Sequence, residues 1–253
     1  MGGTRELTGE APLAAVSVLL LHGLGATGAV WYPVADRLAA RGPARVLAPD
    51  LPGHGTGPRH ATYTVEGAAA YVAAQLAGDA ALYVVGHSFG GYVALALAAG
   101  GYGVQPRGVL TVGTKLSFDA DEQARAADLA RRPARIFETR EEAVARYRKV
   151  SGLDARLAPG ERLLERGVVA DGSGYRLAAD PATVGVVVPP FAALLAGARC
   201  PTLIARGEGD PIVTSAELRA VAPEAIDVRG CGHNLQVESP AALIGLLERL
   251  WRG

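Results

Sequence analysis

Short apolar runs alternate along the chain with longer stretches whose apolar residues recur at helical spacing. The runs are Val16–Leu21, Arg45–Ala48, Leu82–Val85, Val109–Val112, Thr202–Ala205 and Ile226–Val228. Continuous apolar runs this short fit strands buried on both faces of a parallel sheet. Between them the spacing predicts helices near Val30–Ala40, Val65–Leu76, Gly90–Ala99 and Ser215–Val221. A last helix is expected over Pro240–Trp251, where Leu243, Leu246, Leu247 and Leu250 share one face and Pro240 suits the first turn. Such alternation predicts an α/β fold, a mostly parallel central sheet with helices on both faces.

The alternation breaks between Leu116 and Ala198. This stretch holds the densest charge, at Asp128–Arg135 and Arg140–Lys149. Its middle reads as helices at Asp121–Arg131, Glu141–Val150 and Gly160–Arg166, with loops containing Gly172, Gly174 and Pro181. Strand signals resume at Pro201, so the stretch is an insertion and not a second tandem domain. The expected organisation is a core over 1–115, a helical cap over 116–198 and the rest of the core over 199–253.

Composition narrows the function classes. A chain of 253 residues that is 49% hydrophobic can bury one large core, which argues against disorder. Its 25 basic and 25 acidic residues cancel without a block of like charge, so neither nucleic acid nor an anionic membrane is an expected partner. Cys200 and Cys231 are too few for a disulfide framework and read as two thiols. The apolar run Ala11–Leu21 is too short to span a bilayer as a helix. Read as a signal peptide, it would cost the chain the glycine loop that follows. It is therefore read as a buried strand, and the protein is expected to be soluble and cytoplasmic.

The first chemical signal is Gly86-His87-Ser88-Phe89-Gly90, between a predicted strand and a predicted helix. The pattern G-x-S-x-G is weak alone; the strand before and the helix after give it weight. A sharp strand-to-helix turn presents the serine at its tip, and glycines on either side avoid collision across the turn. The plain alternative is a serine capping a helix. A second glycine loop, His22-Gly23-Leu24-Gly25, follows the first strand. In acyl transfer the tetrahedral oxyanion needs preorganised N–H donors. The N–H groups of Leu24 and Phe89 are the candidates.

Two further loops follow late strands: Gly207-Glu208-Gly209-Asp210 and Gly232-His233-Asn234. Ligand sites in open parallel sheets lie at these carboxyl ends. Ser88, Asp210 and His233 stand in the order nucleophile, acid, base. His233 would take the Ser88 proton, and Asp210 would fix the imidazole tautomer. Glu208, Asp119 and Asp121 are the rival acids, the last two standing well beyond their strand end. His22 and His54 belong to glycine turns, His87 packs beside the nucleophile, and His60 is expected on the surface. No ligand-like spacing of His and Cys appears, so neither metal nor cofactor is expected.

These pieces, together with Asp50-Leu51-Pro52-Gly53-His54-Gly55 and Gly86–Gly91, resemble the α/β-hydrolase superfamily in its capped, single-domain bacterial form. They keep the family's order from Leu19 to the C-terminus. The resemblance implies the fold and the Ser88–Asp210–His233 triad, and it makes Asp50 a structural residue of a loop near the site. Haloalkane dehalogenases and epoxide hydrolases resemble this fold but carry Asp where Ser88 stands. About fifteen residues precede the first strand, which leaves little room for the usual leading edge strands. The insertion matches no subfamily of known substrate.

Trp31, Phe89, Phe118, Phe137, Tyr147 and Leu235 are the candidate pocket residues, with core packing as the alternative for each. Arg206 reads as a carboxylate anchor or, in preference, as the partner of a neighbouring acid. Few charged residues adjoin the motifs, which favours a neutral, apolar group. The expected activity is hydrolysis of a small-molecule carboxylic ester by a monomer or homodimer. Lactone or thioester hydrolysis, carbon–carbon cleavage, perhydrolysis or a lyase reaction would use the same triad. A non-catalytic binding member of the fold is the remaining alternative.

Overall fold

The computed structural model describes residues 16–41, 45–76, 81–153 and 162–252. The expected leading segment and the start of the helix predicted at Gly160 lie outside them. Six strands form one parallel sheet: β1 (Ser17–Leu21), β2 (Arg45–Leu47), β3 (Leu82–His87), β4 (Gly108–Val112), β7 (Thr202–Gly207) and β8 (Ile226–Val228). Their order is β2-β1-β3-β4-β7-β8. β1, β3 and β4 are buried along their whole length, while the edge strands β2 and β8 are not. This is why the central strands read as unbroken apolar runs.

Successive residues of β1 feed opposite faces. Val18 and Leu20 join a core with α1 (Tyr32–Ala39) and α10 (Pro240–Arg252). Leu19 and Leu21 join another with α2 (Val65–Ala73) and α3 (Phe89–Ala99). Helices therefore cover both faces. α3 is buried all round, from Phe89 to Ala98, and so lacks an amphipathic stripe. It lies between the sheet, α2 and α7 (Phe191–Gly197), with Tyr92 edge-on to Phe191 at 5.9 Å.

The chain runs from β1 outward to β2 and then crosses back to β3 on the other side of β1. The loops leaving the carboxyl ends of β1 and β3 diverge there, opening the crevice where α/β sheets bind ligands.

Between β4 and β7 lie α4 (Ala120–Ala130), α5 (Arg140–Val150), the short α6 (Arg162–Glu165), β5 (Val168–Asp171), β6 (Gly174–Leu177) and a 3-10 turn, Pro181–Gly185, before α7. Asp119 with Glu122, and Thr139 with Glu142, form reciprocal capping boxes that start α4 and α5. The loop expected around Gly172 and Gly174 is instead an antiparallel hairpin. Its four-residue strands are too short for alternation to show. Its two-residue turn opens on Gly172 at φ 59°, as tight hairpin turns demand. Phe137 pairs with Tyr175 and extends the hairpin by one bridge. The last helix of this stretch, α7, packs on α3 of the core, and α8 (Ser215–Val221) and the short α9 (Leu235–Glu238) complete the helices before α10.

Two loops brace each other at the carboxyl end of β1. The Leu51 N–H donates to His22 Nε2 at 2.9 Å, and the Gly25 N–H donates to His54 Nε2 at 3.1 Å. Each ring must therefore carry its proton on Nδ1, which reaches the carbonyl of Gly23 from His22 and of Pro52 from His54. Asp50 accepts from the N–H groups of Gly28 and Thr56, from the Thr56 hydroxyl and from Arg166. Burial, with repulsion from His22, pushes His54 down to about 3, and burial lowers His22 as well.

On α10, Leu247 is fully buried, whereas a Cβ on Gly245 would meet open space. Leu247→Ala is expected to cost about 2–5 kcal/mol and Gly245→Ala to gain about 0.5–1 kcal/mol in urea unfolding. For His54, the folded value lies below its ordinary 6.5, so the unfolded chain takes the proton first as pH falls. Stability is full above about pH 6.5 and declines toward pH 3, by up to about 1.4 kcal/mol per pH unit for one such histidine. His54→Gln should reduce the slope of unfolding free energy against pH by about one proton between pH 6 and 4.

Candidate active site

Ser88 joins β3 to α3 with φ 50° and ψ −117°, the one non-glycine residue at positive φ among the described residues. A side chain held in that region is strained, and the surroundings must hold it there. The Ser88 N–H donates to the Val112 carbonyl at 2.9 Å, and its own carbonyl accepts from the Gly91 N–H and the Thr114 hydroxyl. The flanking glycines are sterically required. A Cβ on Gly86 would lie 2.2 Å from the Gly90 carbonyl oxygen, and one on Gly90 would lie 2.3 Å from that of Leu21. Although Ser88 occupies the position before the helix, its hydroxyl makes no capping bond. The alternative of a capping serine therefore finds no support.

The loop after β1 lies against this turn. A Cβ on Gly23 would touch Ser88 Cβ at 3.0 Å and His87 Nδ1 at 3.2 Å. Within that loop the Gly25 N–H is taken by His54, and the Ala26 N–H by the Gly23 carbonyl. Leu24, immediately before them, is half-buried. Phe89 is the first residue of an eleven-residue helix, whose leading N–H groups have no partner within the helix.

His233 Nδ1 donates to the Asp210 carboxylate, 3.1 Å from Oδ1 and 3.0 Å from Oδ2. The Asp210 side chain is fully buried and the His233 ring partly exposed. Oδ1 of Asp210 also accepts from the Ile212 N–H. Both residues crowd Gly113, next after β4 at φ 60°, where a Cβ would fall 3.0 Å from Asp210 Oδ2 and 3.1 Å from His233 Nδ1. Gly113 follows Val112, the residue that accepts the Ser88 N–H, so the pair and the serine backbone both lie against the end of β4. The rival acids are elsewhere. Asp119 caps α4, Asp121 is exposed, and Glu208 is exposed and accepts from the Gly230 N–H.

Three supporting residues were not legible as such in the sequence. His87 is buried and donates from Nε2 to the His233 carbonyl at 3.0 Å, with the two rings 4.6 Å apart. Burial and then repulsion by His233 hold it well below its ordinary value, so it stays neutral. Arg206 is buried and fans its donors to Asp227 at 2.7 Å and to the carbonyls of Val213, Glu208 and Asp210. Its acid partner is thus Asp227 across the sheet edge, and the guanidinium stitches the Asp210 loop closed. Asn234 donates to the carbonyls of Ser151 and Gly152, tying the end of α5 to the residue beside His233.

The expected pocket residues divide. A cavity of about 380 Å³ lies between Gly25, α4, α5, β6 and the 3-10 turn, and Phe137 lines it. Trp31, Tyr147 and Leu235 are instead core side chains, all at most 1% exposed. Trp31 ends a fully buried 3-10 turn, the Tyr147 ring packs against Gly167, and Leu235 joins the core that holds α10. Phe118 is 39% exposed, with Lys115 over its ring. An aromatic near a motif gives no sign of which way it packs. Only the tertiary contacts decide. Apolar Leu129, Pro133, Val150, Leu177 and Val184 supply much of the remaining wall.

No disulfide joins Cys200 and Cys231. Among the described residues, no group of three or more His, Cys, Asp or Glu is arranged to hold a metal ion, and no helix is long and apolar enough to cross a membrane.

The sequence pattern of the alpha/beta hydrolase family matches residues 18–246. The chain is 41% identical over 90 residues to the lipase LipV of Mycobacterium tuberculosis, covering 35% of this chain and 33% of that one. It is 46% identical over 88 residues to a pimeloyl-[acyl-carrier protein] methyl ester esterase of Neisseria meningitidis, covering 35% of this chain and 27% of that protein. The match thus spans a third or less of these relatives' length. Among solved structures, a thioesterase domain from the curacin biosynthetic pathway superposes with TM-score 0.75 at 25% identity, over 92% of this chain and 90% of that one. E-2-(acetamidomethylene)succinate hydrolase shares the fold, with TM-score 0.76 at 21% identity over 93% of this chain and 91% of that one. The family match runs through nearly all of the chain, and the chain belongs to the α/β-hydrolase family.

Proposed function

We propose that the chain hydrolyses a carboxylic ester through an acyl-enzyme on Ser88. The observation that carries this reading is the strained Ser88 turn, whose neighbour His87 has its ring 4.6 Å from that of His233, a histidine with Nδ1 bound to a buried carboxylate. With Nδ1 committed to Asp210, the Nε2 lone pair of His233 is the available base. It takes the Ser88 proton as Oγ attacks the ester carbonyl, and it returns that proton to the departing alcohol. Water then attacks the acyl-enzyme, gives a proton to His233 and releases the acid as Ser88 regains its proton. The negative charge on the tetrahedral oxygen falls to the N–H groups of Leu24 and Phe89. Relatives named as a lipase and a methyl ester esterase support ester chemistry.

A thioester substrate is the second reading. It is favoured by the likeness to a thioesterase domain over most of both chains. The same steps apply, with a thiol as the leaving group. A panel of p-nitrophenyl esters and acyl thioesters of matched chain length distinguishes the two by kcat/KM.

Ser88→Ala is expected to lower kcat on the best ester by roughly 10⁴ to 10⁶ and to abolish labelling by a fluorophosphonate probe. Asp210→Asn should lower kcat by about 10⁴ with the fold intact. Near-parental turnover in Ser88→Ala, or no labelling of the parent, would sink the assignment.

A further inference from the structure

We propose that the cavity under the insertion reads a negative charge on the acyl chain. The ester this chain takes ends in a carboxylate, held by Arg135 and Arg146. This rests on the Ser88 reading and adds the substrate class.

The charges around the cavity are unbalanced. Arg132, Arg135 and Arg146 line it together with a single carboxylate, Asp180. Asp180 is already satisfied, with Oδ1 accepting from the Ala182 N–H and Oδ2 from the Tyr63 hydroxyl at 2.7 Å. Arg132, just beyond α4, is paired with Asp128 near the end of that helix. Arg135 lies over the Phe137 ring at 4.7 Å, and among the described residues neither it nor Arg146 has a carboxylate partner. Two exposed arginines without a carboxylate partner thus line a cavity whose remaining wall is largely apolar.

The helix α5 gives these cations a direction. A Cβ on Gly25 would contact Val150 at 3.7 Å, so the end of α5 sits on the loop that carries Leu24. Arg146 is one helical turn back on the same face, and both residues line the cavity. From Gly25, the residue of that loop that lines the cavity, the wall along α5 is first apolar, at Val150, and then cationic, at Arg146. A methylene chain with an anionic end matches that sequence of surfaces. A neutral chain leaves the guanidinium groups unmatched, and a cationic end is repelled. Arginine's planar fork suits a carboxylate, which it can hold with paired charge-assisted bonds. The apolar wall and the cationic end thus select on different parts of one ligand.

The test compares monomethyl esters of straight-chain dicarboxylic acids with methyl alkanoates of equal length and with chains ending in trimethylammonium. The parent should favour the carboxylate series in kcat/KM by about 10- to 100-fold over the neutral one. Arg135→Gln and Arg146→Gln should each cut that ratio several-fold, and the double variant should bring it near one. Arg146→Lys should keep part of it, and Arg37→Gln, on the outer face of α1, should leave it alone. Calorimetric binding to Ser88→Ala gives a readout independent of turnover, with the hemiester expected to bind more tightly than the neutral ester. Ester hydrolysis with no carboxylate preference in either rate or binding would overturn the anionic pocket and leave the Ser88 reading standing. Preferential binding without hydrolysis of any ester would do the reverse.

Discussion

At the carboxyl ends of β1 and β3, backbone packs directly on backbone. The Leu21 carbonyl oxygen lies 2.3 Å from where a Cβ on residue 90 would stand, and that of Gly90 lies 2.2 Å from one on residue 86. No side chain fits at either point. This close approach lets the first turn of α3 come up against the loop after β1, so that a Cβ on Gly23 would press on Ser88. It also confines Ser88 to its positive φ, because a relaxed turn would need the room that the packing removes. The crevice created by the reversal in strand order thus has the Ser88 turn and the loop after β1 packed against each other at its base.

Electrostatics enters one layer out. The residues that hold the site are mostly buried polar groups spent on backbone partners: His22 and His54 on the loop after β1, Arg206 on the Asp210 loop, His87 on the His233 carbonyl. Each satisfies a group that burial would otherwise penalise. Keeping the three histidines neutral is part of the same arrangement. At His22 and His54 an Nε2 lone pair accepts a backbone N–H, and a second proton would displace it. His87 is held neutral by burial and by the ring of His233.

What the sequence made legible follows from this. Ser88, Asp210 and His233 could be singled out because glycines at fixed offsets and strand ends at fixed positions leave a one-dimensional trace. The strands and most helices were legible for the same reason, since burial on both faces writes itself as unbroken apolar runs. The wall of the cavity left no such trace. Trp31, Tyr147 and Leu235 are as apolar as any pocket residue, yet they fill the core, and Phe118 points outward. Arg206 was visible beside Glu208, but its partner Asp227 lies on another strand, and only the β7–β8 pairing brings them together. The hairpin at Gly172 was hidden by its brevity. The dense charge at Asp128–Arg135 and Arg140–Lys149 carried no sign that Arg135 and Arg146 line a cavity.

Asn234 connects the two halves of this picture. Its amide holds the carbonyls of Ser151 and Gly152 at 3.2 and 2.9 Å, one residue away from His233. The insertion is therefore pinned at the end of α5 to the very loop that carries the imidazole. A lid hinged at that end would have to break both bonds and drag the histidine loop with it. The wall of the cavity that α5 supplies, at Arg146 and Val150, is thereby fixed relative to the histidine loop. The same two bonds that steady the histidine loop also set where that wall stands.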